Sequence, residues 1–200
     1  TECPICAGCQ HMLSKGLSPS SVRHCHRVLS QALKHAVEKG LLRRNPCDAV
    51  RPPRQIQREL RIPDAVTVLR LLELAKTTPY HVAFHFLAFT GARRGEACGL
   101  MWSDLDLDRG KAAIQRSAGR ITGQGVAMLP PKTARSRRTI ALDPDTVDIL
   151  RSHRGTQLVK QIEFEDLYTD SGYVFTDPVG RPLDPFVLTD SWRRLVKPAG

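Results

Sequence analysis

The sequence predicts an α+β fold, mainly α-helical, in two units with a small three-stranded antiparallel sheet. Three observations carry this expectation. Residues 18–40 read as one capped, amphipathic helix in a strongly basic setting. Residues 80–102 hold an apolar helix broken at Thr90-Gly91 and resumed beyond it. Residues 111–143 are short segments of alternating apolar residues, divided by Gly119, Gly123 and Gly125 and a basic turn, the pattern of paired strands.

Length and composition bound the possibilities. The 200 residues suit one large domain or two small ones, and 41% hydrophobic with 25% charged residues is ordinary for a globular chain. The formal charge of +10 is not ordinary and points to a polyanionic partner. Most of it lies early: residues 1–62 carry a net +7 and residues 63–200 a net +3. Arginine dominates, and its planar fork matches phosphate, which suits nucleic-acid contact; a GC-rich coding sequence would give the same bias. No run of 18 apolar residues could span a membrane, and no basic-then-apolar leader opens the chain. The sequence starts at Thr1 without methionine and stops at Gly200, so at least one end is expected not to be a natural terminus.

Ser18 is a cap, Pro19 occupies the first helical position and Gly40 ends the helix. Val22, Cys25, Leu29, Leu33 and Ala36 form its apolar face. Arg23, Arg27, Ser30 and Lys34 form a basic stripe with no acid before Glu38. Such a helix can dock on a domain and on phosphates together; a merely solvated face is the plainer alternative. Residues 43–63 contain Pro46, Pro52 and Pro53 among arginines and read as an extended basic connector. The predicted division is a helical DNA-binding part over 1–50, a basic linker over 51–62 carrying Arg51 and Arg54, and a larger unit over 63–200.

That unit opens with a helix presenting Val68, Leu72 and Ala75. Residues 80–89, "YHVAFHFLAF", are apolar nearly all round and belong deep in the core; His81 and His85 lack the glutamate of a metalloprotease pair and are assigned structural roles. "KAAIQRS", "GVAMLPPK" and "SRRTIALD" read as the three strands. Asp143 and Pro144 start another helix, residues 173–185 an extended piece, and Pro185 a last helix. Cys25, Cys47 and Cys98 read as small, reduced core residues. Cys3, Cys6 and Cys9 are spaced as C-x2-C-x2-C, and His11 could complete four zinc ligands, but no second pair follows and no metal is expected.

Chemistry concentrates in two places. Arg93 follows the Thr90-Gly91 break where a helix begins, and unpaired amides there favour anions. Glu96 lies one turn on and can orient that guanidinium. Lys132 is expected at a turn between strands with Arg135, Arg137 and Arg138 around it, able to give a proton to a leaving oxygen.

Taken in order, these elements resemble the tyrosine recombinase family, the phage-integrase type of site-specific DNA recombinase, from about Gly16 to Lys197. Thr90, Gly91, Arg93, Glu96, Leu100, Trp102 and Asp104 meet its T-G-x-R-x-x-E-x-x-x-L-x-W-x-D pattern. Pro131, Lys132, Thr133, Ser136 and Arg138 meet P-K-T-x-x-S-x-R. The resemblance implies a partial helical core-binding domain followed by a catalytic domain. It implies recombination of double-stranded attachment-site DNA through a 3'-phosphotyrosyl link, without cofactor, by a homotetramer in the full-length form, in the nucleoid-associated cytoplasm. Arg93 would neutralise the pentavalent phosphate, Lys132 would protonate the departing 5'-oxygen and Glu96 would support Arg93. Arg23, Arg27, Lys34, Arg51, Arg54, Arg135, Arg137 and Arg138 would contact DNA. The family's His-x-x-Arg motif and nucleophilic tyrosine are not found before Gly200, and Tyr80, Tyr168 and Tyr173 stand at the wrong places for it. The chain is therefore expected to bind DNA and not to cleave it, as part of an integrase or as a non-enzymatic remnant that occupies sites.

Overall fold

A computed structural model describes residues 12, 16–54, 62–121, 123, 125–129 and 137–197. The chain divides into two compact units, Thr1–Ile62 and Pro63–Gly200.

The first unit is built on α1 (Pro19–Glu38), capped by the Ser18 side chain on the Ser21 amide with Pro19 at its start. The chain leaves it at Gly40, whose φ of +73° is the left-handed region. The face turned inward keeps Val22, Leu33 and Ala36 of the expected one and differs in the rest. Val22 is fully buried and His26, Ser30, Leu33 and Val37 are half-buried, whereas Cys25 is exposed and Leu29 is 43% exposed. Asn45 explains the rotation: its Nδ2 donates to the Ser30 carbonyl at 3.1 Å and draws that side of the helix onto the following turn. The connector is correspondingly not wholly extended. Asn45 caps a 3-10 turn, Pro46–Ala49, through the Cys47 amide, and Cys47 and Val50 are buried.

The second unit packs helices around a small sheet. α2 (Ala65–Ala75) is capped by Asp64. α3 (His81–Thr90) buries Val82, Ala83, Phe84 and Phe86, while Phe89 is half exposed and stacks on His85 at 4.3 Å. His85 has a structural partner, with Nε2 3.0 Å from the Thr146 hydroxyl. Gly91, at φ +62°, ends α3 and turns the chain into α4 (Arg94–Cys98). α5 (Pro144–Phe164) starts at the Asp143 cap and α6 (Pro185–Val196) at the Asp184 cap. Phe86, Leu100, Leu150, Val174, Leu183 and Leu188 form the buried centre.

The strands are paired differently from the expected single sheet. β1 (Leu105–Asp106), β2 (Lys111–Ile114) and β5 (Arg138–Ala141) make a three-stranded antiparallel sheet in the order β1-β2-β5. β3 (Ser117–Ile121) and β4 (Gly125–Leu129) form a separate two-stranded ribbon. The predicted strand "KAAIQRS" is split because Arg116 leaves the ladder to bind Asp104, pairing both guanidinium ends with its carboxylate and donating to the Gly99 carbonyl at 3.3 Å. Asp104 is 7% exposed and also accepts the Met101 amide, so this ion pair pins the sheet's entry.

Among the described residues no helix is long and apolar enough to cross a membrane, and no cluster of His, Cys, Asp and Glu could hold a metal ion. Cys3, Cys6, Cys9 and His11 lie outside the described residues.

Candidate nucleic-acid and phosphate site

The site is centred on a carboxylate. Glu96 sits in the single turn of α4, and its side chain is only 6% exposed. A buried carboxylate is stable only if its oxygens are filled by donors. Here each oxygen takes two. Oε1 accepts Arg93 Nη1 and Arg138 Nη1, both at 2.9 Å. Oε2 accepts the Arg93 backbone N–H at 2.7 Å and Arg138 Nη2 at 2.8 Å. The forked bond from Arg138, then the Arg93 amide and side chain, hold the carboxyl well below its ordinary range, down to about 2, against the opposing effect of burial.

α4 has five residues, and the Arg93 amide at its start is taken by Glu96. The guanidinium is the exposed cation of the cluster. Arg93 is 75% exposed and Glu96 engages only one of its terminal nitrogens, leaving the rest of the fork toward solvent. A fixed, outward guanidinium is suited to a phosphate oxygen.

α4 is held in place by its glycines. A Cβ on Gly95 would stand 2.5 Å from the Ser117 hydroxyl and 2.6 Å from the Ala118 carbonyl, and one on Gly99 3.2 Å from the Ala118 amide. The absence of side chains lets α4 lie directly on β3.

Of the other expected contacts, Arg27, Lys34, Arg51, Arg54 and Arg137 are exposed. Arg23 is half-buried and donates to the Pro53 carbonyl at 3.4 Å. Arg138, expected among the phosphate contacts, holds Glu96 from β5, 42 residues away in sequence. Nothing in the local pattern marks that pairing. Lys132 and Arg135 lie outside the described residues. Sequence reading also missed Arg94 and Arg120, which flank the half-exposed Phe186 ring at 5.3 and 5.9 Å.

No family model matches the chain. A tyrosine recombinase XerC-like protein of Caldanaerobacter subterraneus is 24% identical over 94% of this chain and 53% of its own length. The integrase of Mycobacterium phage L5 is 31% identical over 68% of this chain and 36% of its own. The chain thus spans about half the length of the first of these curated relatives and a smaller share of the second. Among solved structures, the Tn1549 transposon integrase in complex with a circular intermediate DNA matches with a TM-score of 0.77 at 21% identity, over 98% of this chain and 63% of that one. A lambda integrase tetramer bound to a Holliday junction matches with a TM-score of 0.66 at 20% identity, over 98% and 52%.

Proposed function

Because this chain belongs to the tyrosine recombinase family, we propose that it serves site-specific DNA recombination, with Arg93 holding a phosphate of a duplex attachment site. The observation that carries this is the outward Arg93 guanidinium fixed on buried Glu96. A phosphoryl group under attack gains negative charge on its equatorial oxygens, and a preorganised cation there is worth about 3 kcal/mol. In the same proposal Lys132 gives a proton to the departing 5'-oxygen, and a tyrosine attacks to form the 3'-phosphotyrosyl link in the full-length form.

Tyr80, Tyr168 and Tyr173 are poor candidates for that nucleophile. Burial raises the Tyr168 pKa and so opposes the phenolate that a nucleophile needs, and all three stand at the wrong places for the family's pattern. The chain by itself is therefore proposed to bind DNA without cutting it. Residues 1–50 are proposed as the core-binding part and 51–62 as a basic linker. Arg27, Lys34, Arg51, Arg54 and Arg137 supply backbone contacts that position the duplex without reading its sequence. The lambda integrase tetramer on a junction supports a homotetramer as the working assembly.

Binding to a random-sequence duplex, followed by fluorescence anisotropy across a salt series, tests this. Arg93→Gln is expected to weaken binding about tenfold and to reduce the slope of log K against log salt by about one. An unchanged affinity and slope would remove Arg93 from the DNA surface.

A further inference from the structure

Building on the DNA-binding reading of this cluster, we propose that Arg138 is a positioning residue: it occupies the Glu96 carboxylate so that Glu96 does not capture the Arg93 guanidinium. Arg138 thereby keeps Arg93 available to a phosphate without touching DNA itself.

The geometry points this way. Arg138 holds the forked pose on Glu96, with Nη1 on Oε1 at 2.9 Å and Nη2 on Oε2 at 2.8 Å. Arg93 is left with one side-chain bond, to an oxygen already shared, while its backbone N–H fills the other. A forked bond is the strongest pose available to an arginine and a carboxylate. Whichever guanidinium holds it has little fork left for another anion. The exposures agree with this division: the Arg138 side chain is 35% exposed and that of Arg93 is 75% exposed. Two guanidinium groups on one carboxylate also leave the cluster with a net positive charge.

Without Arg138, Glu96 would keep a full charge, 6% exposed, with a single cationic partner. A buried carboxylate in that state draws its remaining partner into the vacated pose. Arg93 would swing from one bond to a fork, and the cluster would become neutral. Arg138 is also the first residue of β5, paired with Ile114 of β2. The register of the sheet therefore sets where Arg138 stands, and through Glu96 it sets how Arg93 is presented.

The test is an epistasis measurement on the whole chain with a random-sequence duplex as probe, all variants first shown to be folded by circular dichroism. Arg151→Gln, on α5, serves as a control for the loss of one positive charge. Arg138→Gln is expected to bind about tenfold more weakly than that control, because a captured Arg93 loses its charge-assisted bond to phosphate. Against Glu96→Gln, from which it differs by the same single positive charge, Glu96→Gln/Arg138→Gln is expected to lose within about threefold of what the control loses against the wild type, because a neutral amide has no charge with which to hold Arg93. A double variant no better than Arg138→Gln overturns the proposal and makes Arg138 a phosphate contact in its own right. A single variant no weaker than the control overturns it as well. If Arg138→Gln does not fold, the comparison of the double variant with Glu96→Gln decides alone: a loss like that of the control supports the proposal, and an order-of-magnitude loss overturns it. Failure of the underlying DNA reading looks different, since Arg93→Gln would then bind like the wild type.

Discussion

Glu96→Gln is expected to destabilise the second unit by about 3 kcal/mol. The carboxylate receives four hydrogen bonds from Arg93 and Arg138 and joins α4 to β5. An amide of the same shape can accept on one side only, and its NH2 group would face a guanidinium. Half-buried Arg138 would then lose its counter-charge. Urea unfolding of wild type and variant measures the difference. The same group gives stability a defined acid limb. Its pKa falls from 4.5 in the unfolded chain to about 2 in the folded one, so the unfolded state binds the proton more readily. The stabilisation is therefore fully present above pH 4.5 and is lost as pH falls from 4.5 toward 2, by about 3 kcal/mol in total. In Glu96→Gln that limb should flatten. A variant with the wild-type acid profile would show that Glu96 is not the group responsible.

A second large effect is expected where α4 rests on β3. Gly95→Ala places a methyl group 2.6 Å from the backbone oxygen of Ala118, which cannot rotate aside. Overpacking of this kind costs about 2 kcal/mol and is relieved only if α4 lifts from the strand. That shift would carry Arg93 and Glu96 with it, so DNA affinity should fall along with the midpoint of unfolding. Gly155→Ala is the informative contrast. Gly155 lies within α5 with nothing within 4 Å of a new Cβ, and alanine there should stabilise the helix by about 1 kcal/mol. Thermal melts of the two variants should move in opposite directions. Equal shifts would mean that the close approach of α4 to β3 is not tight in solution.

Local signals in the sequence were good guides to local structure. Ser18, Asp143 and Thr90-Gly91 announced the helix boundaries that form, because capping and left-handed turns depend on a few neighbouring residues. The Arg93–Glu96 pair was legible for the same reason: one helical turn brings the two side chains together. The remainder depended on contacts distant in sequence. The division of the strands follows from Arg116 reaching Asp104, and the inward face of α1 from Asn45 reaching Ser30. Periodicity alone favoured Cys25 and Leu29 over His26 and Ser30, since it weighs side chains and not the carbonyl that Asn45 seizes. Arg138 lies in a run of basic residues, and no feature of that run reports the buried acid opposite. The two units carry their positive charge unequally, but charge identifies a class of partner and not the residue that meets it.

The most direct measurement is a crystal structure of the chain bound to duplex DNA, read at the phosphate nearest Arg93. The expected result is an Arg93 terminal nitrogen within about 3 Å of one of its oxygens, with the Lys132 ammonium approaching the same phosphoryl group and Glu96 still bracketed by Arg138. Arg93 and Lys132 directed to separate surfaces, with no phosphate common to both, would contradict the account.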